Sequence, residues 1–319
     1  MEGLGGMAGP VAAQDTIEAR VWDAYGSLVE SSVGRVRSPE AAVKLLENRY
    51  KLVVDKRVVT LVYAAFLNGR PVLFEGPPGT GKTEIGEALL ELWAGRKPFI
   101  LPCSEGYDEY KVIGDFHPQM AMKHGFNEES FVPRPLLAAL ILDTGVLVDE
   151  IRRSSEEFQN MLLDIIDKRR IVVPEIRRVF KARGTGFQLI MTSNPEDIAQ
   201  NELSDAFLRR VVRVRFDYPP RHVEERIVRL RTEEKPLLGA EVMEVIMRVV
   251  SRLRTSNISH KPGTSESVAW ARMAQSIAAL KGRDRVSLED LAEAAEAVLV
   301  KRVDDEDVVR EVLGEALNV

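Results

Sequence analysis

The segment Gly76-Pro77-Pro78-Gly79-Thr80-Gly81-Lys82-Thr83 constrains this chain more than any other. It fits G-x-x-x-x-G-K-[ST] and stands directly after an apolar run, Pro71-Val72-Leu73-Phe74, and directly before an amphipathic one, with Ile85, Ala88, Leu89 and Leu92 on one helical face. Strand, glycine-rich turn and helix in that order make a cradle for phosphate. The glycines let the backbone wrap the anion, and the N–H groups at the helix N-terminus point at it. Lys82 is expected to reach the β- and γ-phosphates, and Thr83 to offer its hydroxyl to Mg²⁺.

The rest of the chain supplies the sheet that such a turn needs. Phe99-Ile100-Leu101, Val146-Leu147-Val148, Gln188 to Thr192 and Val211 to Phe216 alternate with helical patterns, which argues for a mostly parallel sheet covered by helices. Tyr218-Pro219-Pro220 closes this series, since two consecutive prolines continue neither strand nor helix. Beyond it the pattern is helical. Val242, Val245, Ile246, Val249, Val250 and Leu253 form one stripe, and Ser287-Leu288-Glu289-Asp290 resembles a capping box. The expected organisation is an N-terminal arm over 1–37, loosely attached and containing a helix within Thr16 to Val29, an α/β nucleotide-binding domain over 38–218, and a helical domain over 219–319.

Val146-Leu147-Val148-Asp149-Glu150 reads as a buried strand that delivers Asp149 to the C-terminal edge of the sheet, where parallel sheets bind ligands. Asp149 is expected to hold Mg²⁺ through water and Glu150 to deprotonate the attacking water, so the pair implies hydrolysis of ATP. Leu140-Ile141-Leu142-Asp143 is a rival for this role, but Asp143-Thr144-Gly145 reads as a turn and lacks a second acid.

Composition narrows the classes. The chain has 319 residues, 45% hydrophobic and 29% charged, a globular balance. No window approaches about eighteen uninterrupted apolar residues, and the first fifteen residues lack the pattern of a secretory signal. A net charge of −5 disfavours nucleic acid as the main partner. A single cysteine, Cys103, rules out an intramolecular disulfide, fits a reducing cytoplasm, and reads as a buried small hydrophobe. His117, His124, His222 and His260 show no metal-ligand spacing.

Taken together, these motifs resemble those of AAA+ ATPases, and within that class of the MoxR family, over about residues 38 to 300. Pro77-Pro78-Gly79-Thr80 is similar to the AAA+ form of the phosphate loop, and Asp149-Glu150-Ile151 followed by Arg153 to the family's D-E-I-N-R stretch. Thr192-Ser193-Asn194-Pro195 resembles its sensor 1 motif, which assigns Asn194 to the water or γ-phosphate. Leu203 to Arg210 lies where the family carries L-x-E-A-x-x-D-R, so the arginine finger carries over to Arg210, with Arg209 as its adjacent competitor. The resemblance implies an AAA+ αβα domain with a central parallel sheet and a small all-helical lid. It also implies a helix-2 insert at about 108–135 and a hairpin before sensor 1 at about 170–186.

One departure concerns the lid, where the family's sensor 2 arginine falls on Ser267 of Gly263-Thr264-Ser265-Glu266-Ser267, so no lid residue is assigned to nucleotide. Arg272, five positions on, faces elsewhere on the helix. Lys261 to Ala271 and Cys103 to Tyr107 resemble instead the CoxD-like branch, associated with maturation of a molybdenum-copper dehydrogenase. The resemblance thus implies a cytoplasmic, hexameric ring ATPase using ATP and Mg²⁺. Its partner would be a protein with a von Willebrand factor A domain, and its client a metalloenzyme receiving its metal cofactor. The competing readings are a DNA-associated AAA+ motor and a nucleotide-dependent switch.

Overall fold

A computed structural model of the chain describes residues 16–195, 201–234 and 236–317. Among these residues the strands are β1 (Val72–Glu75), β2 (Phe99–Pro102), β3 (Gly114–Phe116), β4 (Phe131–Pro133), β5 (Val146–Asp149), β6 (Arg170–Val173), β7 (Arg178–Lys181), β8 (Leu189–Ser193) and β9 (Val212–Arg215). Five of them form one sheet in the order β2-β5-β8-β1-β9, with every pairing parallel. The five runs read from the sequence are these five strands. Their C-terminal ends share one edge, and the central neighbours β5, β8 and β1 bring Asp149, Ser193 and Glu75 there side by side.

Helices cover both faces, as the near-continuous apolar strands require. Phe74, Leu147 and Ile190 face helices Pro39–Asn48, Lys56–Leu67 and Lys82–Ala94, whereas Leu73, Val148 and Met191 face helices Pro135–Leu142 and Glu156–Lys168. The alternation follows from the two-residue period of a strand. The result is a three-layer αβα domain. Among the described residues after Pro220, the α-helices Arg221–Arg231, Ala240–Thr255, Thr264–Leu280, Leu288–Leu299 and Glu306–Leu317 pack around a core of their own that includes Val228, Ile246, Val249 and Trp270. The stripe from Val242 to Leu253 is buried in it, and Ser287 and Asp290 form the capping box. Among the described residues no helix is long and apolar enough to cross a membrane.

β3 and β4 pair antiparallel within the segment 108–135, and β6 and β7 form a hairpin. Leu140 to Leu142 belong to a helix, not a strand, so Asp143 lies before β5, away from the edge that carries Asp149. Its carboxylate accepts from the Gly186 and Phe187 N–H groups and pairs with Arg35 at 2.7 Å. The rival site therefore has a structural job.

The loosely attached arm is not what forms. Its described part holds a shorter helix, Ile17–Tyr25, followed by a 3₁₀ turn, Ser27–Val29, and Ile17, Val21 and Val29 are buried in the main core. Residues 1–15 of the expected arm lie outside the described residues. Arg20 donates to the Phe131 carbonyl at 2.9 Å and Tyr25 Oη to that of Pro133 at 3.0 Å, so the helix also supports β4. Glycine and alanine around it hid three core side chains. Trp22, on the same helix, is 47% exposed, with the Arg96 guanidinium 5.1 Å from its ring centroid. Ile17→Ala should destabilise the fold by about 2–5 kcal/mol, the usual range for a buried isoleucine. A urea midpoint unchanged from wild type would contradict this docking.

Candidate functional site

Gly76 is the first residue of the phosphate loop, with φ +156°. A Cβ there would lie 2.0 Å from the Phe216 carbonyl oxygen, so only glycine lets β1 turn against the end of β9. Helix Lys82–Ala94 starts at the end of the loop. Lys82 Nζ donates to the carbonyls of Gly76 at 2.8 Å and Pro77 at 2.7 Å, and Thr80 Oγ1 donates to Pro77 at 3.0 Å. Burial lowers the Lys82 pKa to about 8, opposed by the nearby charges of Asp149 and Glu150.

The two carboxylates meet the loop through hydroxyls. Thr83 Oγ1 donates to Asp149 Oδ1 at 2.9 Å, and Thr192 Oγ1 donates to the same oxygen at 2.6 Å. Thr192 Oγ1 in turn accepts from the Glu150 N–H at 2.9 Å. One threonine on β8 thus fixes both acids at the end of β5. Glu150 stands in the left-handed region, φ +55°, a conformation that costs a non-glycine residue about 1–3 kcal/mol and is held here by its neighbours. Its carboxylate pairs with Arg153 Nε at 2.7 Å.

Asn194 follows β8 on the same edge. Arg210 belongs to another neighbourhood: it pairs with Asp167 at 2.7 Å and donates to the Ala206 carbonyl. Asp167 is therefore the partner of the expected finger. Arg209 is exposed, and its carbonyl accepts from Arg70.

The lid touches the loop directly. Ser265 N–H donates to the Gly79 carbonyl at 3.0 Å, and a Cβ on Gly79, whose φ is +70°, would lie 2.5 Å from Ser265 Oγ. Between them lies a cavity of about 300 Å³ whose apolar walls include Leu52, Val53, Ile85, Ile227 and Val268. Ser267, at the position of the family's lid arginine, is fully buried. Its hydroxyl donates to Glu224, which also takes a bidentate contact from Arg254 at 2.7 Å. Arg272 does lie on a different helical face from Ser267, and that is the face bordering the cavity, together with Arg231. Arg272 Nε donates to the Arg231 carbonyl at 3.1 Å.

These residues fit ATP with Mg²⁺. Thr83 and Asp149 offer hard oxygen donors in contact with each other, next to an ammonium and a helix N-terminus. The family comparisons match the same regions. Residues 71–211 match the AAA domain of the dynein-related subfamily, and residues 267–315 match an AAA lid domain. The chain carries an AAA+ ATPase module. Its relatives include the gas vesicle ATPase GvpN of Ancylobacter aquaticus, 25% identical over 300 residues, covering 89% of this chain and 82% of that protein. An uncharacterized protein of Staphylococcus aureus (strain USA300) is 26% identical, covering 79% of this chain and 91% of its own. The uncharacterized protein YehL of Escherichia coli (strain K12) is 28% identical over 163 residues, half of this chain and 45% of that one.

Sequence reading overlooked three parts of the AAA+ site. Thr192 sits inside a motif already singled out, but its hydroxyl matters only because β8 lies between β5 and β1. Leu52 and Val53 precede the α/β pattern, and Ile227 and Val268 look like ordinary helix residues. Only their convergence marks them. Cys103 is buried and its pKa is pushed up to about 12, mainly by burial and further by Asp149 and Glu150. The native thiol should therefore resist iodoacetamide at pH 8 and react once urea unfolds the chain. Rapid labelling of the native protein would contradict that environment.

Proposed function

We propose that this AAA+ module is a MoxR-type chaperone, a ring ATPase that remodels or matures a protein complex. The observation that carries the reading is the cluster of Thr83, Asp149, Thr192 and Glu150 beside the phosphate loop. A binding protein has no need to hold a second acid in a strained backbone at the end of the strand; hydrolysis does. The loop from Gly76 to Thr83 and Lys82 hold the phosphates of ATP, with the base in the cavity between loop and lid. Thr83 and Asp149 hold Mg²⁺, which offsets phosphate charge when bound. Glu150 accepts the proton of the attacking water and Asn194 orients that water. Arg210 reaches the site of a neighbouring subunit, so each active site takes residues from two copies of the chain.

The ring is hexameric on this reading and works in the cytoplasm. Its partner carries a von Willebrand factor A domain, and its client is a metalloenzyme into which a metal cofactor is inserted, as in the CoxD-like branch. Similarity to a protein named as an ATPase supports the turnover, and the motif resemblance supports the job. The test is capture from native lysate with the Glu150→Gln protein, ATP and Mg²⁺, followed by mass spectrometry. A von Willebrand factor A protein recovered together with a metalloenzyme supports the reading. Recovery of DNA with replication proteins, together with DNA-stimulated turnover, would replace it with a DNA motor.

A further inference from the structure

Immediately after Glu150, the chain makes a 3₁₀ turn, Ile151–Arg153, whose middle residue departs from the D-E-I-N-R pattern. Arg152 turns inward and is 17% exposed. Its Nε–H donates to Ser193 Oγ at 2.7 Å, one residue before Asn194. Its Nη2 reaches Glu75 Oε1 at 3.4 Å, one residue before Gly76. Glu75 is 3% exposed and is shared with Arg213, whose Nε contacts its other oxygen at 2.6 Å. The main chain of the same turn looks the other way. The Arg152 carbonyl accepts from Asn201 N–H at 2.9 Å, and the Ser154 carbonyl accepts from Asn201 Nδ2 at 2.9 Å. Three residues on, Ser204 caps helix Asp205–Leu208, which runs into Arg209 and Arg210.

We propose that Arg152 is a positioning residue that couples the state of the nucleotide pocket to the segment bearing Arg210. Arg152 is bonded at once to the root of the phosphate loop, to the end of the sensor strand and to the stretch that leads to the finger. The inference rests on the ATPase reading above and adds how one subunit's site would inform the residue that completes another's. Two physical features suit Arg152 to this task. Glu75 is almost fully buried and is held by both Arg152 and Arg213, so a movement of Glu75 pulls on Arg152. A planar guanidinium can also hold Ser193 and Glu75 in fixed geometry, whereas an ammonium is a point charge on a flexible stem. A displacement of either strand end on nucleotide binding is therefore passed to the turn at Arg152, and from its carbonyl to Asn201. This is a contiguous bonded path between two sites, the physical form that coupling takes when it is carried by side-chain networks.

The experiment compares wild type with Arg152→Gln, Arg152→Lys and Ser193→Ala by three readouts. These are the Kd for a fluorescent ATP analogue, steady-state turnover, and amide hydrogen exchange over residues 201–210 with and without a slowly hydrolysed ATP analogue. In wild type, nucleotide is expected to change exchange in 201–210. In Arg152→Gln this response should vanish and turnover fall by up to about 30-fold, the upper end of the scale of coupling mutations off the ligand itself, by more than any change in Kd. Arg152→Lys should restore part of both. Ser193→Ala, which leaves the buried charges alone, should weaken the response without loss of thermal stability.

A nucleotide response kept intact in Arg152→Gln would overturn the inference, as would a turnover loss fully matched by a loss of affinity. Wild-type protein that fails to hydrolyse ATP would instead overturn the functional reading. Normal turnover in Arg152→Gln removes only the role of Arg152.

Discussion

Replacing Arg210 by alanine should lower ATP turnover by about 10³- to 10⁵-fold, the range for an arginine finger, while leaving nucleotide affinity nearly unchanged. The side chain pairs with Asp167, and both are about 40% exposed, so losing the pair costs the fold at most about 1 kcal/mol. The effect is therefore chemical. Arg209→Ala is the control and should be mild, because Arg209 is exposed beside it. The decisive form of the test is a mixture of Arg210→Ala with Glu150→Gln, each inactive alone. In mixed rings some interfaces combine an intact Glu150 with an intact Arg210, so activity should return on mixing. A mixture as inactive as its components would show that the site is not shared between subunits.

Glu150→Gln should bind ATP and lose about 10²- to 10⁴-fold in turnover, the scale of a lost general base. The amide is nearly isosteric, and the residue's N–H keeps its bond to Thr192, so the local backbone should survive. Affinity should be retained because Lys82, Thr83 and Asp149 keep their places. Binding by calorimetry and single-turnover hydrolysis separate the two effects. Turnover near the wild-type level would reassign the base.

How far the sequence carried depended on whether a feature was local. The phosphate loop, the five sheet strands and the acid pair each announce themselves within about ten residues, because strand, turn and helix signals are short-range. The lid stripe and the Ser287 cap were legible for the same reason. What stayed hidden depends on distant segments meeting. Thr192 gains its role from lying between Asp149 and the Glu150 N–H. Ser267 turns into the lid because Glu224 and Arg254 stand behind it, which leaves Arg272 bordering the cavity. The docking of the arm is hard to read because its nine-residue helix buries few side chains, Ile17 and Val21, and these enter a core built from later parts of the chain.

That helix has a consequence for how the chain is made. Arg20 bonds a residue 111 positions later, and Glu18 pairs with Arg178, 160 positions later, which also takes Glu128 at 2.6 Å. At translation speeds of about 5–20 residues per second, Glu18 waits roughly 8–30 s before Arg178 is even synthesised. A nine-residue helix is too short to persist by itself for that time. A segment synthesised before its partners is thus among the last to settle, and it closes over β4 and the β6–β7 hairpin only when both have formed.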